Sequence, residues 1–362
     1  MNNHLSLRRA LVLAVATTVA AVAVPAVASA APPKKTNVKV MTRNIYLGAN
    51  LNPVLTAPNP PALLAGAGEV WRQVQRTNFP GRAALLASEI GRSRPDVVGL
   101  QEVAHWQRDI NGAPDGPSTP ANETVYDFLK LLRSELQAKG LKYKVAVAQD
   151  EFVAELPVDN TLPPDSVPDF DAKLTMRDVI LVKSRLKTRG AKSLRYSPDN
   201  TLQVPTALGV TLLAYRGWTK VDVIKKRMKV RVFNTHLEAF DGDIRLGQAQ
   251  ELAGRDELRG RRLILLGDLN SDPDGGSPDA YNVFTEDGFR DVGVTVNTCC
   301  HEDELRNAPP AAFTSRIDHV LARGKVKRLG ASLIGSQDAV FGELGIWPSD
   351  HGGVVSRVRV RR

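Results

Sequence analysis

The chain has 362 residues, of which 43% are hydrophobic and 24% charged. That is long enough for one large α/β domain or two small ones and too apolar for disorder along its length. A formal charge of +9 suits anionic partners such as nucleic acid, anionic lipid or phosphate esters. The two cysteines, adjacent at Cys299 and Cys300, exclude a disulfide framework and fall short of a structural zinc site.

Residues 1–30 read as an export signal. Arg8 and Arg9 precede an uncharged apolar run, Ala10 to Val24, and Ala28-Ser29-Ala30 offers a small-residue cleavage site. The run is shorter than the roughly 20 residues of a membrane span, although an uncleaved anchor is the competing reading. A secreted chain without these two arginines has a formal charge of +7.

After a Pro/Lys-rich linker, Val38 to Arg43 is the first expected strand. A Pro-rich loop follows over 53–61, then helix over 70–92, broken near Pro80-Gly81. Asp96 to Gln101 is a short apolar strand, 113–120 a loop, and Thr124 to Lys139 has helical spacing of Phe128, Leu131, Leu132 and Leu136. Tyr143 to Ala148 alternates as a strand before a Pro/Asp-rich loop over 156–171. Strands are expected at 179–183, 207–215 and 230–234, a helix at 244–258, and strands at 263–266, 317–322 and 353–360. No linker splits the chain after residue 30, so one two-sheet α/β domain is expected.

Several polar residues stand at the ends of apolar strands, where loops can present them to a ligand. They are Asn44, Glu102, His236, Asp268, Asn270, Asp318, Asp350 and His351. Singly, each is an ordinary cap or turn former. Together they supply the carboxylates, amides and imidazoles that a hard divalent cation and a phosphate ester require.

The segments Thr42-Arg43-Asn44, Gly99-Leu100-Gln101-Glu102-Val103, Asn234-Thr235-His236-Leu237, Gly267-Asp268-Leu269-Asn270, Arg316-Ile317-Asp318-His319 and Ser349-Asp350-His351 resemble the ordered motif set of the endonuclease/exonuclease/phosphatase superfamily. The likeness runs from about Lys39 to the C-terminus. It implies a four-layer sandwich, two mixed β-sheets face to face with helices outside, and a site at one edge where loops of both sheets meet.

Chemistry then suggests roles. Glu102 is the best ligand for Mg²⁺ or Mn²⁺, with Asp350 binding the same or a second ion and Asn44 assisting at the metal or donating to the ester. Asp268 activates or orients the attacking water, and Asn270 donates to a phosphoryl oxygen. His351 contacts the phosphate with its ring held by Asp318, or serves as the general base while Asp268 orients. His236 protonates the leaving oxygen or stabilises charge. Arg177 falls where related enzymes often carry a phosphate-contacting arginine. The run from Asp268 to Gly275 mimics a calcium loop, but counted from Asn270 its twelfth residue is Tyr281 where a bidentate glutamate is needed. His319 neighbours Asp318 on a strand and should face the other way.

The superfamily does not name the substrate. A secreted, monomeric, metal-dependent phosphodiesterase is expected, with nucleic acid favoured by the basic charge. A sphingomyelinase-like phospholipase C is the alternative, supported by Thr235-His236-Leu237-Glu238-Ala239 with Asp241, Arg245 and Gln248 following. A phosphomonoesterase ranks third and a non-catalytic binding module last. The export signal also places Cys299 and Cys300 where a vicinal disulfide can persist.

Overall fold

The structure is a computed structural model and describes residues 34–109, 118–275, 280–311, 313–337 and 344–362. The expected export segment, part of the loop at 113–120 and Phe341 lie outside these residues. Residues 33–362 form one compact unit.

In chain order, β1 (Lys35–Asn44) leads to a single helical turn, α1 (Asn52–Leu55), and two long helices, α2 (Pro60–Arg76) and α3 (Phe79–Ser93). Next come β2 (Val97–Gln101), β3 (His105–Arg108), β4 (Glu123–Asp127), α4 (Phe128–Ala138) and the long pair β5 (Tyr143–Val158) and β6 (Phe170–Lys183). Then come β7 (Lys187–Arg195), a small hairpin of β8 (Leu202–Pro205) and β9 (Thr211–Ala214), β10 (Gly217–Lys225) and β11 (Met228–His236). The chain closes with α5 (Gly242–Gly254), β12 (Arg262–Asp268), α6 (Ala280–Glu286), β13 (Arg290–Asp291), β14 (Asp318–Gly324), β15 (Val326–Ile334) and β16 (Gly353–Arg361).

One sheet runs β15-β16-β1-β2-β6-β3-β4, with β5 also paired to β6, and the other runs β13-β14-β12-β11-β10-β7. Both are mixed: β1–β2 and β11–β12 are parallel and the other pairs antiparallel. Three apolar layers make the expected sandwich. Valines and isoleucines such as Val38, Val40, Val97, Val232, Ile264 and Val320 fill the space between the sheets. A second cluster packs α2, α3 and α4 on the first sheet, and a third packs α5 and α6 on the second.

The period-2 alternation of strands decides what faces inward. Along β1 the inward stripe is Val38, Val40, Thr42, Asn44; along β11 it is Val230, Val232, Asn234, His236; along β12 it is Ile264, Leu266, Asp268. Each stripe starts apolar in the inter-sheet core and ends polar. Because β1, β2, β11 and β12 end at the same edge, the polar ends meet there.

Some elements differ from expectation. The helical break falls at Asn78, whose left-handed backbone (φ 44°) starts α3, while Pro80 sits in the first turn, where a missing N–H costs nothing. The helix expected from Thr124 begins only at Phe128. Residues 123–127 pair with β3, and Asp127 caps the helix by accepting from the N–H groups of Leu129 and Lys130. The strand expected at 207–215 is the shorter β9, paired only with β8. The interior strand β10, with the edge strands β7 and β15, was not anticipated.

Two buried arginines anchor the helical layer to the loops at the polar edge. Arg43 and Glu89 of α3 form a two-pronged ion pair, 3.0 and 3.3 Å, with each side chain 1% exposed, and Arg43 also donates to the His351 carbonyl. Breaking one partner of such a pair leaves a buried charge and costs about 3–5 kcal/mol. Glu89→Ala should lower stability by that amount in urea denaturation. A loss of about 1 kcal/mol or less, as for a surface pair, would show that the pair does not anchor the loop.

Candidate active site

The polar edge opens into a cleft of about 290 Å³. Glu102, His236, Asp268, Asn270, Asp350 and His351 all line it, so six residues from separate parts of the sequence converge as expected. Glu102 and Asn270 both adopt left-handed backbone, φ 56° and 47°. Asparagine tolerates that conformation, whereas it costs a glutamate roughly 1–2 kcal/mol. Strain of this kind concentrates at functional sites.

Below the cleft the sheets are joined by an amide bridge. Gln101 Nε2 donates to Asn234 Oδ1 at 2.5 Å, and Asn234 Nδ2 donates back to the Leu100 carbonyl at 3.1 Å. Gly99 allows this approach, since any side chain there would collide with the Asn234 amide.

Asn44 stands just above the bridge and is fully buried. Its Nδ2 donates to Glu102 Oε1 (2.9 Å) and Asp268 Oδ2 (3.1 Å), and its Oδ1 accepts from the Tyr46 N–H. Asn44 thus braces two carboxylates, and its Oδ1 keeps a second lone pair that faces no protein donor among the described residues. Glu102 Oε2 accepts from the Leu47 N–H at 2.8 Å. Burial first, and the Asp350 charge second, hold the Glu102 carboxyl above its usual range, and burial does the same for Asp350. Two buried carboxylates held above their usual range, with all-oxygen donors, fit a hard divalent cation.

The imidazoles differ in charge. His351 Nδ1 lies 2.9 Å from Asp318 Oδ2 and its Nε2 lies 3.7 Å from Asp268 Oδ2. Burial opposes its charge, but Asp318, Asp350 and Asp268 outweigh that and hold the ring well above its ordinary value. The charged form of His351, with a hydrogen on each nitrogen, is therefore favoured. His236 is pushed well below its ordinary value by burial, then by Arg216 and His351. Arg216 Nη1 lies 3.0 Å from its Nδ1. Since arginine can only donate, Nδ1 accepts and Nε2 carries the hydrogen, 3.7 Å from Asp268 Oδ2. Asp268 is raised to about 6, first by burial, with Asp318 adding and His351 opposing. Its Oδ2 faces both rings. Asn270 spends one Nδ2 hydrogen on the Leu237 carbonyl (2.9 Å), and its own N–H holds Asp268 Oδ1.

Arg177 is not among the residues lining the cleft. Its guanidinium bonds the carbonyls of Val103 and Ala104 and Asp127 Oδ1 (2.6 Å), tying the turn after Glu102 to the cap of α4. The cleft's arginine is Arg216, which was missed in the sequence. It pairs with the fully buried Glu238 at 3.3 Å. The stretch after His236 serves this pair. Glu238 Oε1 accepts from the N–H groups of Ala239 and Phe240, Gln248 accepts from the Glu238 N–H, and Arg245 donates to the Glu238 and Ala239 carbonyls. Its likeness to sphingomyelinases therefore reports loop architecture. Arg82, also missed, is fully buried and donates to the carbonyls of Ile45, Tyr46 and Pro348, holding the loops that flank Glu102 and Asp350. His319 faces the other side of β14, against Asp291 and the Ser271 carbonyl.

The model of the endonuclease/exonuclease/phosphatase family matches residues 44–351, the span bounded by Asn44 and His351. The chain belongs to this family. A family protein from Bacteroides thetaiotaomicron has the same fold, with a TM-score of 0.56 at 15% identity over 91% of this chain and 100% of that one. A mannosyl-6-phosphatase from the same organism has a TM-score of 0.51 at 15% identity, covering 89% and 99%. A family member from Beutenbergia cavernae has a TM-score of 0.52 at 21% identity, covering 90% and 72%. No curated protein matches the sequence significantly. Family members are hydrolases of phosphate esters, generally dependent on a divalent metal.

His236→Ala and His351→Ala should each cut kcat by about 10²-fold or more with unchanged circular dichroism. His319→Ala should lower the melting temperature and spare turnover, and a reversal would exchange the roles of the two faces of β14. Arg177→Ala should leave KM unchanged while destabilising the fold, whereas a raised KM with intact stability would return Arg177 to the substrate.

Proposed function

We propose that the protein is an exported, monomeric, metal-dependent phosphodiesterase whose substrate carries an apolar group beside the scissile phosphate, a phospholipid being that class. The observation that carries this reading is the lining of the cleft. Its one lysine or arginine among the described residues is Arg216, while Leu47, Leu51, Phe152, Met176, Val204 and Phe240 form an apolar flank. Leu51 and Phe152 also line an adjoining apolar recess that includes Trp71 and Trp106. A nucleic-acid track would need a row of phosphate-neutralising cations. Nucleic acid remains the second reading, favoured by the formal charge of +9.

Glu102 and Asp350 would hold a divalent cation, which supplies charge neutralisation and polarises a phosphoryl oxygen. Asp268 Oδ2 accepts a proton from the attacking water. His351 donates a charged N–H from Nε2 to the phosphoryl group, and Asp318 holds the ring and its charge. His236, neutral, donates from Nε2 to the developing negative charge, with Arg216 setting its tautomer. Asn270 has a second N–H for a phosphoryl oxygen. The donors surround the position where charge accumulates, and a buried setting strengthens each of them.

Excess chelator should abolish hydrolysis and Mg²⁺ or Mn²⁺ should restore it; full turnover in chelator would overturn the metal assignment. In Mg²⁺, sphingomyelin or phosphatidylcholine vesicles should be cleaved in preference to plasmid DNA. Phe240, 61% exposed at the cleft rim, should matter for vesicles. Phe240→Ser should lower kcat/KM on them and spare a short soluble phosphocholine ester. Cleavage of DNA with intact lipid would reverse the order of the two readings.

A further inference from the structure

Cys299 and Cys300 form a disulfide in the wall of the cleft. Cys299 is buried and Cys300 exposed, so a soluble reductant can reach the bond. Cys299 Sγ lies 3.5 Å from His351 Nε2, and the two sulfurs and that nitrogen lie within 4.8 Å of one another. We propose that, once reduced, Cys299 and Cys300 join His351 Nε2 in a thiophilic metal site that takes Zn²⁺ and withdraws His351 from catalysis.

The distances suit that ion. With Zn–S near 2.3 Å and Zn–N near 2.0 Å at a tetrahedral angle, sulfur and nitrogen sit about 3.5 Å apart across the metal. The sulfur–nitrogen separation is therefore already set, and only the two sulfurs must part. Asp318 holds Nδ1 (2.9 Å), which leaves Nε2 as the coordinating atom and provides the carboxylate–histidine arrangement common behind zinc. The backbone is pinned independently of the disulfide. The Thr298 N–H bonds the Ser315 carbonyl, the Gly352 N–H bonds the Thr298 carbonyl, and the His301 N–H bonds the Asp350 carbonyl. The segment with the cysteines thus stays against the segment with His351 when the bond opens. These soft ligands stand apart from Glu102 and Asp350, whose oxygens suit a hard ion.

Chemically, a dithiol delivers two electrons and two protons to the Cys299–Cys300 S–S bond and leaves as its cyclic disulfide. Two thiols result. Metal binding displaces both thiol protons and the Nε2 proton. His351 Nε2 then points its lone pair at the metal and has no hydrogen for a phosphoryl oxygen.

The test uses full-length protein in excess Mg²⁺, as isolated and after reduction by a dithiol followed by anaerobic desalting. Co²⁺ is the first probe because thiolate ligation gives a near-ultraviolet charge-transfer band that carboxylates do not. Reduced protein should show this band at one equivalent. Protein with the disulfide intact should not, nor should C299S/C300S. Zn²⁺ should then erase the band and cut turnover of reduced protein by about 10²-fold, the worth of one acid–base group. Absence of the band from reduced protein, or the same band in the double variant, would overturn the site. Full turnover with zinc bound would overturn its link to His351. The band is read whatever the cleft hydrolyses, whereas the loss of turnover rests on the phosphoesterase reading, so the two can fail separately.

Discussion

The molecule depends on one change of character along the space between its sheets. Mainly valine and isoleucine fill that space until the last one or two inward positions of each strand, where Thr42, Asn44, Gln101, Asn234, His236 and Asp268 replace them. Polar groups at that depth persist only if they satisfy one another. The Gln101–Asn234 bridge does so, and it also fixes the separation of the sheets at the floor of the cleft. Asn44 extends the network upward to Glu102 and Asp268. The hydrogen bonds that make the polar edge tolerable are therefore the ones that aim its carboxylates.

Charge is handled from behind. Arg43 of β1, paired with Glu89 of α3, and Arg82 of α3 grip the loops that carry Asp350 and His351, and Arg216, just before β10, bonds His236 Nδ1. Each is buried, and each donates mainly to backbone carbonyls or a single carboxylate. That leaves the acidic groups at the front with excess negative charge, which burial raises toward neutrality and a cation would offset. The same field divides the histidines. Asp318 favours the charged form of His351, while burial first and Arg216 second favour a neutral His236 with its hydrogen on Nε2. Two like residues thus have unlike tasks because their neighbours differ.

Chemistry and recognition occupy opposite flanks of one cleft. The polar flank carries the motif residues, and the apolar flank is continuous with a recess lined by Trp71, Trp106 and Leu212. Net charge sums over the whole surface, whereas a substrate meets only the lining.

The sequence by itself determined the family, the two-sheet architecture and six of the cleft residues. Those residues stand after apolar strands in short ordered motifs, and strand periodicity is a local property that needs no partner. It also determined that His319 must face away from Asp318. It could not assign Arg177 and Arg216, because an arginine beside a strand carries no sign of which carbonyls or rings its long side chain will reach. Nor could it tell that Asn44 braces two carboxylates, since these lie 58 and 224 residues away in the chain. The start of α4 at Phe128 was likewise decided by pairing: the helical spacing begins at Phe128, residues 123–127 pair with β3, and Asp127 caps the helix that begins one residue later. Tertiary structure alone brought Cys299 against His351, because three backbone segments had to be stitched together before the sulfur and the ring could meet.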